Sequence, residues 1–403
     1  MKKSPDPFFT LPPTTPMPET TTLASLLTPP GRAAIATVAV RGPDAMAACE
    51  AYFRGLGGRP LTATSPGSIL VGHWHSAANQ KPSQAGEELV LGHIAPDHWE
   101  IHCHGGPQAS GHILANLSAA GCQVISWRDW ALRFERSPIA AEARILLAKA
   151  ATSRVAGHLL DQYQGALERE LRRILELLSV DRMDAARGAI AALLRWSEFG
   201  LRLTQPWRVV LAGEPNVGKS SLINALLGYD RAIVFDQPGT TRDLLTATTA
   251  LEGWPVELTD TAGLRDSTDR LESSGIERAA RMIAEADCVV HVMDVTRIGQ
   301  QDETTATWQT LLAESPRRVG VLNKVDLLPT SLTEAEPELI HTSVTTGQGL
   351  DRLQSAIATR LVPEVPSAGT PLPFTAAQEE HLAAAHRADT VDQISAYLRA
   401  LLG

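Results

Sequence analysis

Two short runs of residues carry most of the chemistry in this 403-residue chain. Gly213-Glu-Pro-Asn-Val-Gly-Lys-Ser220 has the spacing G-x-x-x-x-G-K-[ST], preceded by the apolar run Val209–Ala212 and followed by the helical pattern Ser221–Leu227. That strand, loop and helix order is the context in which backbone N–H groups wrap a phosphate. Lys219 would reach the β- and γ-phosphates, Ser220 would ligate Mg²⁺, and Gly213, Val217, Gly218 and Ser221 would line the cradle. The second run, Asn323-Lys-Val-Asp326, has the composition of a guanine reader. The Asp326 carboxylate would accept hydrogen bonds from N1 and the exocyclic amine, which adenine cannot supply, while Lys324 packs along base and ribose. Ser343-Val344 stands where a backbone N–H meets guanine O6, and a valine keeps that amide. Together the two runs predict binding of GTP and GDP.

Between them lie the parts that hydrolysis needs. Asp260-Thr-Ala-Gly263 closes the apolar stretch Val256–Thr259, so Asp260 would hold Mg²⁺ and the Gly263 N–H would face the γ-phosphate. Gly239-Thr-Thr-Arg-Asp243 falls where a switch segment belongs. Of its two threonines, Thr240 and Thr241, the second is preferred as the Mg²⁺ ligand and γ-phosphate sensor. Leu264 occupies the place where Ras-like enzymes carry a water-orienting glutamine. Leucine cannot orient water, so another group must, and a cation must replace an arginine finger. Asn216, inside the phosphate loop, is placed to help bind such an ion, although a loop asparagine is more often structural.

These loops need a scaffold. Trp207 to about Leu361 alternates strand and helix patterns, as a parallel sheet with crossover helices requires. Before it, Leu160, Tyr163, Leu167, Leu171, Ile174 and Leu178 step by three and four residues, the apolar face of one amphipathic helix. The polar side of that helix carries Arg169, Glu170, Arg172 and Arg173, a solvated, salt-bridged face in preference to an RNA-binding stripe. Ala185 to Trp196 continues in the same style. Past a Pro-rich hinge, Pro363–Pro373, Val391, Ile394, Leu398 and Leu401 share one face of a last helix that would pack back on the 157–200 block. Toward the N-terminus, Ile35–Val40, Ser68–Val71, Trp99–Cys103 and Gln123–Ser126 read as strands, with a helix from His104-Gly-Gly-Pro107 to about Ala119. The expected organisation is a flexible leader (1–20), an α+β N-terminal domain (21–135), an α-helical domain (136–205 plus 366–403) and an α/β P-loop GTPase domain (206–365) inserted into the helices.

A formal net charge of −9 argues against a general electrostatic grip on nucleic acid, so RNA contact would need a local basic patch. Cys49, Cys103, Cys122 and Cys288 lack CxxC spacing and offer no disulfide framework, which suits a reducing cytoplasm. No secretory signal or membrane-length apolar run is present. His102-Cys103-His104 gives no four-ligand metal set.

Residues 206–361 resemble the GTPase domain of the MnmE (TrmE) tRNA-modification family, of the TrmE-Era-EngA type. The likeness rests on Gly213–Leu226, on Ala232-Ile-Val-Phe-Asp-Gln-Pro-Gly-Thr-Thr-Arg-Asp243, and on Asp260–Glu272 with Gly275-Ile-Glu-Arg-Ala279. It implies a K⁺ ion held by Asn216 with the Phe235, Gln237 and Thr240 region of the switch, and Glu272 positioning the attacking water. It also implies activation by pairing of GTPase domains in a homodimer. Thr28-Pro-Pro-Gly-Arg32 and Glu100-Ile-His-Cys-His-Gly-Gly106 resemble the family's N-terminal domain, which dimerises and binds formyl-tetrahydrofolate. By family the output would be wobble-uridine modification of tRNA with a flavin-dependent partner. The departures cluster. Ala39 takes the place of an arginine in an R-[IV]-S-G stretch, Pro96-Asp97 stands near a Y-T-G-E-D segment, and Arg133–Pro138 replaces a G-E-F-T…N-G-K-L-D-L run. Leu401-Leu-Gly403 stands where the family has C-[IV]-G-K-F-C. Those residues are the ones expected to hold folate and join in modification. The expectation is therefore a divergent member; the alternative is a paralogous GTP-gated switch that binds a protein or ribosomal partner and modifies no tRNA. An RNA-chaperone GTPase ranks last, because residues 363–403 are short and not basic.

Overall fold

The computed structural model describes residues 21–75, 86–229, 246–261, 272–297, 308, 310, 317–327 and 339–403. The chain divides into two compact units, one running to Glu135 and one from Arg136 to Gly403. The first contains β1 (Leu23–Leu26), β2 (Ile35–Arg41), α1 (Ala45–Tyr52), β3 (Phe53–Gly55), β4 (Ile69–Trp74), β5 (Glu87–Ala95), β6 (His98–His104), α2 (Pro107–Ala119), β7 (Gln123–Val124) and α3 (Trp127–Phe134). Its strands form one sheet in the order β3-β4-β5-β6-β2-β1-β7, antiparallel except where β7 pairs with β1. Alternation sorts β6: Trp99, Ile101 and Cys103 are buried, while His98, Glu100, His102 and His104 point the other way. The helix after His104-Gly-Gly begins at Pro107, whose missing N–H costs nothing at a helix start. The strand expected over Gln123–Ser126 is shorter, because Ser126 turns to cap α3 by accepting from the Asp129 N–H at 3.1 Å.

The second unit opens with α4 (Pro138–Leu147), α5 (Ser153–Tyr163), α6 (Ala166–Ser179), α7 (Met183–Leu194) and α8 (Ser197–Leu201). The single helix expected through Leu160–Leu178 is two. Gly165 adopts φ 94°, outside the right-handed helical region, and breaks it between Tyr163 and Ala166. Leu160, counted above on the apolar face, is 41% exposed. On α6 two of the three arginines are paired with carboxylates, Arg172 with Glu168 at 2.6 Å and Arg173 with Glu170 at 2.6 Å, while Arg169 donates to Gln164 O at 2.7 Å.

The sheet of this unit is built from β8 (Trp207–Ala212), then, after α9 (Lys219–Tyr229), from β9 (Thr246–Leu251) and β10 (Trp254–Asp260). After α10 (Glu272–Glu285) come β11 (Cys288–Asp294), β12 (Arg318–Asn323) and β13 (Ile340–Thr342). The order is β13-β12-β11-β8-β10-β9, parallel except for β9 against β10. Helices α11 (Leu350–Leu361), α12 (Ala376–Arg387) and α13 (Val391–Leu402) complete the chain. The last packs on α6 and α4, burying Ile394, Leu398 and Leu401.

One apolar core runs from the helices (Ile139, Leu167, Leu171, Leu398) into the sheet (Val209, Val256, Val290, Val321). Two joints reinforce it. At the β9–β10 turn, Thr152 Oγ1 donates to Gly253 O at 2.7 Å and Arg154 Nη1 to Glu252 O at 2.8 Å. The Arg154 guanidinium lies 4.9 Å from the centroid of Trp254, which also meets His158 and Phe199. At the second joint the chain entering the sheet at Gly200 meets the chain leaving it at Pro373, so closely that a Cβ on Gly200 would overlap the Pro373 carbonyl oxygen.

Candidate guanine-nucleotide site

In a parallel sheet every strand ends on the same edge, and ligands of α/β sheets collect there. That edge gathers the phosphate loop after β8, Asp260 from β10, Asp294 from β11, Asn323 from β12 and Thr342 from β13. The apolar strands β8 and β11 are buried on both faces, which fixes their height and therefore that of the loops they feed.

Within the loop, Gly213 (φ 146°) lies against Val292 O and Gly218 (φ 99°) against the Asn323 side-chain amide, so neither position has room for a Cβ. Asn216, exposed, takes φ 65°. Lys219 is buried, and its ammonium donates to Gly213 O at 3.0 Å and Glu214 O at 2.8 Å, folded along the loop it would serve. Ser220 Oγ, the first-turn hydroxyl of α9, makes a short hydrogen bond to Asp260 Oδ2. A hydroxyl and a buried carboxylate brought together are hard oxygen donors, and they fit Mg²⁺. With nucleotide bound, that ion would neutralise charge on the β- and γ-phosphate oxygens. Thr261 Oγ1 donates to Leu211 O at 3.1 Å, tying the segment after β10 to β8.

The Asn323–Asp326 segment, expected to read the base, is bolted to this loop. Asn323 is buried; its Nδ2 donates to Val217 O at 2.9 Å and its Oδ1 accepts from Thr342 Oγ1 at 3.1 Å. Asn323 therefore lies behind the loop, while Asp326, the expected partner of the base edge, is exposed. Lys324 has φ 64°, and its Nζ reaches both Asn216 O at 2.8 Å and Asp294 Oδ2 at 2.7 Å. Asp294 Oδ1 in turn accepts from the Thr296 N–H at 2.9 Å and Oγ1 at 2.7 Å. Burial would raise the Asp294 pKa, but the bonds from Lys324 and Thr296 outweigh it and hold the carboxyl below its usual range. Ser343 is buried and Val344 packs against the main core; the Ser343 N–H donates to Gln348 O at 3.0 Å and shapes the turn that presents Val344. Ser221 follows Ser220 in the first turn of α9 and is exposed.

Sequence reasoning missed Asp294, Thr296 and Thr342. A signal for the first was available, since Asp294 closes the apolar strand Cys288–Met293 as Asp260 closes its own.

Comparison with known proteins settles the lineage. Residues 208–324 match a family model described as 50S ribosome-binding GTPase. The chain is similar to the tRNA modification GTPase MnmE of Symbiobacterium thermophilum, 32% identical over 376 residues covering 84% of this chain and 82% of that one. It is likewise 32% identical over 419 residues to MnmE of Roseiflexus castenholzii, covering 92% and 89% of the two chains. With MnmE of Bacillus subtilis it shares 31% identity over 379 residues, 83% and 81% of the two. The chain belongs to the MnmE family.

As an MnmE-family protein it is a GTPase with a P-loop nucleotide domain. Of the residues expected to serve the site, Phe235, Gln237, Thr240, Thr241 and Gly263 lie outside the described residues, as does Leu264. Glu272 stands at the first position of α10. In the N-terminal unit, the cleft between Thr28–Gly31 and Gly105–Pro107 encloses about 180 Å³ and is mainly apolar. Its Ser110 hydroxyl is already bonded to Gly106 O at 3.0 Å. Ala39, expected in place of the family arginine, is fully buried against Leu23 and Trp130. The nearby Arg41 pairs with Asp97 at 3.2 Å and stacks on Phe134. The residues lining this cleft include no cation that could pair with the carboxylates of a formyl-tetrahydrofolate.

Proposed function

We propose that this protein hydrolyses GTP to GDP and phosphate in a K⁺-stimulated reaction, as a cytoplasmic homodimer, in the service of wobble-uridine modification of tRNA together with a flavin-dependent partner. The observation that carries the reading is the family likeness over more than four-fifths of the chain, extending through the N-terminal and helical segments as well as the nucleotide site. Asn216 supports the K⁺ role. It is exposed, in a left-handed conformation, with its backbone oxygen engaged by Lys324. In this reading Asn216 with the Phe235–Thr240 region holds K⁺, Ser220, Thr241 and Asp260 hold Mg²⁺, Lys219 supports the transferred phosphoryl group, and Glu272 positions water.

Steady-state hydrolysis compared in K⁺ and Na⁺ tests the ion. Stimulation by K⁺ that is lost in Asn216→Ala is the expected result, and equal rates in both ions remove the role. Glu272→Ala should lower turnover and spare GTP binding; unchanged turnover reassigns the water-positioning residue. Mass spectrometry of wobble uridines from a deletion strain tests the output. Unmodified nucleosides are expected, whereas full modification with GTP hydrolysis intact favours the GTP-gated switch.

A further inference from the structure

We propose that Asp294 is a positioning residue for guanine-nucleotide binding: by fixing the Lys324 ammonium it locks the base-reading segment to the phosphate loop at Asn216, so that the two ends of the seat form as one unit. The inference rests on guanine-nucleotide binding alone and needs neither K⁺ nor tRNA.

The geometry behind it is an unusual pairing of two non-glycine residues with positive φ, Asn216 at 65° and Lys324 at 64°. Side-chain-bearing residues adopt that region uncommonly, asparagine more readily than lysine. The contact that joins these two is a single ammonium. Lys324 Nζ donates to Asn216 O at 2.8 Å, and the same nitrogen meets Asp294 Oδ2 at 2.7 Å. The lysine side chain keeps 35% of its exposure, so without a fixed acceptor it would divide its time between the loop carbonyl and water. Asp294 supplies that acceptor, with its side chain only 8% exposed. Its own direction is set by Thr296, whose N–H at 2.9 Å and hydroxyl at 2.7 Å both occupy Oδ1 and leave Oδ2 turned to the lysine. The charge-assisted bond is therefore aimed before nucleotide arrives, and less ordering remains for binding to accomplish. Thr296 begins this chain of contacts at the end of β11, and Asn216 ends it in the loop after β8, two strands that are neighbours in the sheet.

The test is a double-mutant cycle read by fluorescent-GDP titration of the full-length protein. Asp294→Asn keeps the shape and removes the charge, and it should weaken GDP binding by roughly tenfold to a hundredfold, the loss expected for a charge-assisted bond. Lys324→Met should weaken it comparably, and the double variant should be no weaker than Lys324→Met within about twofold, because both changes break the same link. A merely structural role for Asp294 would instead make the two losses multiply. Thr296→Val retains the carboxylate but frees it to turn, and should cost roughly threefold to tenfold, again with no further loss on the Lys324→Met background. Wild-type affinity in Asp294→Asn, or multiplicative losses in the cycle, overturn the proposal. Should Asp294→Asn fail to fold, Thr296→Val decides: unchanged affinity in that variant overturns it equally. Binding of GDP by the wild-type protein is the control that separates failure of this proposal from failure of the nucleotide reading itself.

Discussion

Gly218→Ala is the most discriminating single change at this site, because one methyl group would strike at the loop and the base reader together. Gly218 has φ 99°, where an alanine costs about 1–2 kcal/mol. Its Cβ would overlap the Asn323 Nδ2 atom, which now donates to Val217 O at 2.9 Å in a buried setting. Pushing that amide away leaves a buried carbonyl unpaired, worth about 1–3 kcal/mol. Against these stands a gain of roughly 0.4–1 kcal/mol from the lower entropy of the unfolded chain. The net expectation is a loss of about 1–4.5 kcal/mol in the nucleotide-free protein. Gly188 provides the contrast: it is exposed in the middle of α7, a Cβ there meets nothing within 4 Å, and Gly188→Ala should stabilise by about 0.5–1 kcal/mol. Urea unfolding of both variants, followed by fluorescent-GDP titration, measures each part. Gly218→Ala should also bind GDP at least roughly tenfold more weakly, since a displaced Asn323 no longer backs the base site. If it unfolds at the wild-type urea concentration and binds GDP within twofold of wild type, the packing argument fails.

Other expectations follow from the joints and from a half-buried histidine. Trp254→Ala should destabilise by about 3–5 kcal/mol as a buried aromatic truncation, and Arg154→Ala by about 1 kcal/mol, through one exposed hydrogen bond and a cation–π contact. A urea midpoint for Trp254→Ala close to that of Arg154→Ala would contradict the packing described for that turn. His291 is pushed down to about 4, first by burial and then by Arg318. The folded state therefore binds fewer protons than the unfolded chain, so stability should fall as pH drops below about 6.5, by about 1–1.5 kcal/mol at pH 5.5, and level off only below the folded value. In His291→Val the loss of stability between pH 7 and 5.5 should shrink by the same amount; an unchanged loss assigns the pH dependence elsewhere.

What could be read in the amino-acid order and what could not divides along physical lines. The phosphate loop and Asn323–Asp326 are contiguous, and their chemistry is complete within a few residues, so spacing alone reveals them. The Asp294–Lys324–Asn216 link joins three positions spread over more than a hundred residues, and only the parallel sheet brings them to one edge. Periodicity carried the apolar face of α5 and α6 across Gly165, because a repeat of three and four cannot register that one residue reverses the backbone. Strand β5 escaped notice since Gly92 and His93 interrupt its alternation, although His93 turns inward and stacks on Trp99 at 4.0 Å. Helix α12, rich in alanine, histidine and glutamate, shows too weak an apolar stripe to stand out, and it buries only Gln378, Leu382 and Ala385.

The meeting of Gly200 with Pro373 has an architectural consequence. The passages of chain before β8 and after α11 go out and come back through a single point, where Leu372 and Phe374 are buried and Gln162 grips the returning backbone at Thr370 O, 3.0 Å away. A segment whose ends lie side by side is, to its host, topologically a long surface loop, and hosts tolerate such additions without being prised open. The nucleotide machinery thus enters and leaves the helices by one stem, with the shared core and the Thr152–Gly253 joint holding it besides.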